Sequence, residues 1–229
     1  KVLNLTLKDV KIDVSDTGGD NFEFEDDQRG KAALSVQGKG NVEIELDGNN
    51  ELKSGASRAG LEKTSTGKLT LKDDNKEAGS LTATGGASAA GIGGDWKGSG
   101  ENITITGGTV DATGGYGSAG IGGGKEGKGE NITITGGTVN ATSNDGAGIG
   151  GGLLGSGENI AITGGSVTAT GGEFAAGIGG SNGGSGNNIT ITGGTVTATG
   201  GDKGAGIGGG DEGGGGNNIT IKGGTVTAT

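Results

Sequence analysis

N-I-T-I-T-G-G-T-V-T-A-T-G-G-D-K-G-A-G-I-G-G-G, residues 188–210, is the stretch whose reading decides the fold. Ile189 and Ile191 alternate with Thr190 and Thr192, the period of two that marks a strand with one buried face. Gly193-Gly194 interrupts the alternation as a tight turn needing positive φ would. Val196 and Ala198 then alternate with Thr195, Thr197 and Thr199, and Ala205-Gly206-Ile207-Gly208 brings one more apolar side chain after a polar loop. One such unit therefore holds three short strands and three turns.

The unit repeats. A-G-I triplets begin at Ala90, Ala119, Ala147, Ala176 and Ala205, in steps of 29, 28, 29 and 29 residues. A fixed period of this size marks a stacked repeat architecture. About 29 residues fit one coil of a three-sided helix of parallel strands, with coils roughly 4.8 Å apart. The expected fold is all-β: a right-handed, single-stranded parallel β-helix of about 7–8 coils. Stacking predicts five inward columns, headed by Ile103, Ile105, Val110, Ala112 and Ile92. Burying one Ile or Val stabilises by roughly 1.5–3 kcal/mol, so these columns make a thin core although only 28% of residues are hydrophobic. The Asn before each I-T-I (Asn102, Asn131, Asn159, Asn188, Asn218) reads as a ladder, since each amide can donate to and accept from its stacked copy.

Residues 87–229 hold the five regular coils, and 1–86 hold irregular coils with a cap at their end. Ala32-Ala33-Leu34 and Ala59-Gly60-Leu61 match A-G-I, and Asn41–Glu45 matches N-I-T-I-T. Gly67–Leu71 and Ser80–Thr84 match two strands of another coil, and Asn4-Leu5-Thr6-Leu7 begins one more. The two parts form one continuous domain, which reads as a segment of a longer protein. Ending on a strand at Thr229, the last coil offers an edge for end-to-end self-association.

Composition narrows the partners. The formal charge of −10 argues against nucleic acid and anionic membranes, and no apolar run approaches the roughly 20 residues of a membrane span. The chain has 62 glycines and no Pro, Cys, Met or His, which removes cysteine and histidine chemistry. Carboxylate pairs, or a lysine or arginine base, are the remaining catalytic options, and no regular coil is singled out for them. G-I-G-G-G lacks the Lys-Ser/Thr and following helix of a phosphate loop, and is expected to be a coil corner.

Candidate binding residues are the exceptions to the repeat. Trp96 and Leu153-Leu154 occupy one loop two coils apart, roughly 10 Å by strand spacing; Tyr116 and Phe174 occupy the other loop. Large apolar residues on loop tips can mark contact sites, and aromatic rings offer faces for sugars. An outward array of Thr, broken by Asp111 and Asn140, reads as a plain pleated surface, a polysaccharide platform or an ice-binding face. Acidic groups cluster in the loop with Asp20, Glu23, Glu25, Asp26 and Asp27, and in another with Asp73, Asp74 and Glu77. Glu101, Glu130 and Glu158 form a further column. Hard oxygen ligands suit Ca²⁺, so Asp26, Asp27, Asp73 and Asp74 are the candidate metal ligands of a fold that requires no cofactor.

G-S-L-T-A-T-G-G (79–86), G-A-G-I-G-G-G (146–152 and 204–210) and N-I-T-I-T-G-G-T-V resemble repeats of large surface proteins of Firmicutes. L-T-L-K-D-V-K-I-D (5–13) and N-V-E-I-E-L-D-G-N-N-E-L-K-S-G (41–55) are similar to the start of that repeat type. More loosely, the chain resembles calcium-containing β-helical carbohydrate-binding domains of clostridial cell-surface proteins. The resemblance implies a secreted or cell-surface bacterial protein that binds or adheres, with polysaccharide or a host glycan as ligand and no catalysis. A structural spacer is the alternative; a polysaccharide-degrading enzyme or an ice-binding protein comes third.

Overall fold

A computed structural model describes residues 1–19, 28–75 and 77–229. Every strand pair in it is parallel, and each strand pairs with its counterpart one coil away. The result is a parallel β-solenoid of about seven turns. The first face stacks Gly100–Ile105, Gly129–Ile134, Gly157–Ile162 and Gly186–Ile191. The second stacks Gly79–Thr84, Thr109–Thr113, Thr138–Thr142, Ser166–Thr170, Thr195–Thr199 and Thr225–Ala228. The third is a column of seven very short strands, from Leu34–Val36 and Leu61–Lys63 to Ile207–Gly208.

The expected columns are the core. Ile103, Ile132, Ile160 and Ile189 are fully buried, as are Ile105, Ile134, Ile162 and Ile191 and the matching Val, Ala and A-G-I columns up to Ala198. In the last coil, which has no coil above it among the described residues, Ile207, Ile219 and Val226 are half-buried and Ile221 and Ala228 exposed. The irregular coils continue them with larger side chains: Val42 and Leu69 stand below Ile103, and Ile44 and Leu71 below Ile105. The 13-residue strand Asn41–Lys53 runs along both the first and second faces, turning the corner at Gly48, where φ is +62°. Val2–Lys8 and Lys11–Asp13 pair beneath it and add an incomplete eighth rung. Leu3 there stands opposite Val42 and Leu5 opposite Ile44. Val2-Leu3-Asn4-Leu5, and not Asn4-Leu5-Thr6-Leu7, therefore holds the N-I-T-I register, two residues earlier than the sequence suggests.

The asparagines do stack: Asn131 Nδ2 donates to Asn102 Oδ1 at 3.2 Å, Asn188 to Asn159 at 3.2 Å and Asn218 to Asn188 at 3.1 Å. A backbone reason lies beneath the ladder. All five have φ of +54° to +56°, the left-handed region in which Asn is among the few tolerated side chains. The Asn turns the chain between Gly-Glu, or Gly-Asn in the last two coils, and the alternating Ile run. Asn131→Ala is expected to cost about 1–2 kcal/mol in urea unfolding and Asn131→Gly less, because only Ala meets the Cβ penalty. Equal losses would make the side-chain ladder, not the backbone, the reason for Asn.

Candidate functional site

Each A-G-I-G-G segment is pinched at its base. Ala119 N–H donates to the Gly123 carbonyl at 2.9 Å, Ala147 to Gly151 at 3.0 Å and Ala176 to Gly180 at 2.9 Å. The Ile between them points into the core, so the turns before and after the segment leave the coil together. Further bonds join them: Lys125 N–H to the Ser88 carbonyl at 3.1 Å, Leu153 to Gly117 at 2.7 Å and Asp211 to Phe174 at 2.9 Å. The two loops of the sequence are thus one ridge of paired turns. It gathers Trp96, Tyr116, Leu153, Leu154 and Phe174 along one side of the solenoid.

Each ring on this ridge lies beneath a cation. Lys97 Nζ is 4.8 Å and the Arg29 guanidinium 5.8 Å from the centre of Trp96. Lys125 Nζ is 5.7 Å from Tyr116 and Lys203 Nζ 4.9 Å from Phe174. Exposed contacts of this kind are worth about 0.5–1 kcal/mol, little enough for a ligand to displace a lysine. Tyr116 is 47% and Leu154 61% exposed. The Lys125 stem and Leu153 wall the Gly117 next to Tyr116, which makes a continuous patch. Leu154 has φ of +66° at the turn position that Gly183 holds in the next coil. Leucine at such a position is uncommon and strained.

Asp111 and Asn140 are not on the ridge. They are neighbours on the outer side of the second face, where Asn140 Nδ2 donates to Asp111 Oδ1 at 2.7 Å. Rows of Thr and Ser flank them in register, as the sequence predicts.

The acidic groups are taken up singly. Asp73 accepts from Gly79 N–H at 3.1 Å, Asp74 pairs with Lys72 at 3.2 Å and Glu77 with Lys8 at 2.7 Å. Lys128 reaches Glu158 at 3.4 Å and Glu130 at 3.5 Å, and the two carboxylates, Glu158 first, raise its pKa. Among the described residues no three Asp or Glu side chains converge as a cation cage would need. Asp26 and Asp27, with Asp20, Glu23 and Glu25, lie outside the described residues.

Between the second and third full coils the repeat has a step. Seven residues connect Leu61 to Leu69, where ten connect the paired Ile92 to Ile103. Glu62 and Lys63 replace the Gly93-Gly94 of the next coil, and both are buried. Glu62 pairs with Arg58 at 3.3 Å and accepts from Ser35 Oγ at 3.0 Å. Lys63, 1% exposed, donates from Nζ to the Ser65 carbonyl at 2.7 Å, and its burial pushes its pKa down. The longer turn of the third coil overhangs a cavity of about 300 Å³ lined by Lys63, Ser65, Thr66, Asp95, Ser99 and Glu101. Arg29 braces the overhang through Asp95 at 3.1 Å. Of these lining residues the sequence singles out only Glu101, in its acidic column, although Glu-Lys in place of Gly-Gly is a visible break.

The buried ammonium has a stability signature. Below the folded pKa of Lys63 the group is charged in both states, and the full cost of burying it is felt. Between that pKa and the ordinary value of 10.5 the unfolded chain binds more protons, so stability rises with pH. Lys63→Met is therefore expected to be about 1–3 kcal/mol more stable than the wild type at pH 7. The gap should narrow towards pH 10.5 in urea unfolding. A gap that widens with pH would contradict a lowered pKa.

Comparison with curated proteins and with solved structures yields no match. The beta helix repeat family model matches residues 77–99, 103–125, 132–153, 160–186, 189–211 and 219–229. These stretches begin in the last irregular coil, recur once per turn of the solenoid and cover more than half of the chain, which belongs to the beta helix repeat family.

Proposed function

We propose that this solenoid is a non-catalytic binding module of an exported bacterial surface protein, and that it holds polysaccharide along the turn ridge. One observation carries the reading: the pinched A-G-I-G-G segments bring Trp96, Tyr116, Leu153, Leu154 and Phe174 onto one side of the molecule. The regular positions are occupied by core, ladder and corner duties, so this is where the coils differ. Rings with lysines beside them suit sugar units, whose C–H faces stack while their hydroxyls accept from the ammonium groups.

A structural spacer is the second reading, favoured by the cation already seated on each ring. A glycan array probed with and without Ca²⁺ separates the two. Binding is expected to at least one polysaccharide class. Retention of none, with a melting midpoint unmoved by chelator, would leave the spacer. Release of sugar from pectin or xylan would overturn the non-catalytic reading.

A further inference from the structure

We propose that the cavity at the step between the second and third coils is a binding site for one uncharged pyranose unit. The sugar would be held by Lys63 and Ser65 from one wall and Glu101 from the other. This rests on the polysaccharide reading for its ligand class, but uses different residues from those on the ridge.

The cavity arises from a mismatch in chain length. The seven-residue connection of the second coil cannot fill the space beneath the ten-residue connection of the third. At about 300 Å³ the space sits at the small end of ligand pockets, roughly 300–1,000 Å³. Its wall is polar, buried at Lys63 and Ser65 and exposed at the rim at Thr64 and Thr66. Ser65 is only 7% exposed, and its Oγ is buried without a hydrogen-bond partner. Lys63 has three N–H donors, of which one goes to the Ser65 carbonyl. A buried ammonium and a buried orphan hydroxyl are costly unless something polar meets them.

The charges select the ligand. Asp95 is balanced by Arg29. Lys63 and Glu101 line the same cavity with opposite charge, and Glu101 acts on Lys63 electrostatically. An anion would face Glu101 and a cation would face Lys63. A neutral polyol satisfies both, because each hydroxyl donates to a carboxylate and accepts from an ammonium or a serine. Trp96 follows the lining residue Asp95 directly and belongs to the ridge. A chain on the ridge therefore has its end, or a branch, within reach of the pocket. A free hexose and a chain-terminal unit present the same chemistry.

The test is a titration of the ¹⁵N-labelled chain with methyl glucoside, methyl galactoside and methyl mannoside, followed by oligosaccharides and galacturonate. Amide shifts are expected at 63–66 and 95–101 with a neutral sugar, saturating at about millimolar concentration as suits a ligand of about a dozen heavy atoms. They should be lost in Ser65→Ala and in Lys63→Met, with the rest of the spectrum unchanged. Galacturonate should bind more weakly. A free glycoside that binds as well as the oligosaccharide marks a monosaccharide site; a stronger oligosaccharide marks a chain-end site, and either supports the pocket. No shift at 63–66 with any of the sugars, shifts that survive both substitutions, or a preference for galacturonate would overturn it. Shifts confined to residues 116, 153, 154 and 174 would overturn the pocket and leave the ridge reading standing. Pocket shifts with an array that retains no polysaccharide would do the reverse.

Discussion

Gly150→Ala is expected to destabilise the solenoid by about 3–5 kcal/mol, enough to unfold much of the chain at ordinary temperature. Gly150 has φ of +136°, and a Cβ there would collide with the Gly179 carbonyl oxygen of the next coil. That oxygen accepts the Gly151 N–H at 2.9 Å, so it cannot withdraw without breaking a bond between coils. Backbone strain and overpacking each add about 1–3 kcal/mol. The same geometry recurs at Gly122 and Gly179, with φ of +134° at both. Gly40 is the control: the nearest atom to an added Cβ is the Lys1 carbonyl oxygen, 4.0 Å away. Gly40→Ala should stay within about 0.5 kcal/mol of the wild type. A Gly150→Ala chain that unfolds within about 1 kcal/mol of the wild type in urea would show that the corner tolerates a side chain.

Ile134→Ala is the second large effect, at about 2–5 kcal/mol. Ile134 is fully buried between Ile105 and Ile162, in the middle of its column. Each coil adds a single layer of five inward side chains to the core, so little can collapse into the vacancy. Its neighbour Thr133 faces outward and is paired with Ala161, so Thr133→Ala should stay within about 0.5 kcal/mol. Because each coil contacts mainly the coils beside it, amide exchange should quicken in neighbouring coils before distant ones. Uniform quickening along the chain would mean a more cooperative unit than the stack implies.

The core columns were legible because strand alternation and a 29-residue period are both properties of residue order. Leu69 and Leu71 fall into a coil by residue pattern alone, and they pair where expected. The asparagine column was legible as a ladder, yet its φ of about +55° was not. Repetition shows that a position matters without showing whether side chain or backbone is the cause. The ridge was half legible. Trp96, Tyr116, Leu153, Leu154 and Phe174 stood out by composition, but they fell in two loops separated by the A-G-I-G-G segment. The bond from Ala119 N–H to Gly123 and its copies, with the bonds from Lys125, Leu153 and Asp211 between the turns, close those loops onto one side. The step at Lys63 was countable in the sequence as seven residues against ten. A repeat pattern brings out the positions on which coils agree, and a single departure such as Glu62-Lys63 carries no such signal.

The central claim is that ligand contact belongs to the turn ridge and not to the regular threonine face. It is tested by affinity electrophoresis against a polysaccharide retained on the array. A ridge variant combines Trp96→Ala, Tyr116→Ala and Phe174→Ala; a face variant combines Thr109→Val, Thr138→Val and Thr195→Val. Melting midpoints establish that both are folded. The ridge variant is expected to lose at least about tenfold in affinity, the scale of a small cluster of contact residues, while the face variant stays within about twofold. The opposite ordering, with the face variant losing binding and the ridge variant keeping it, would contradict the account.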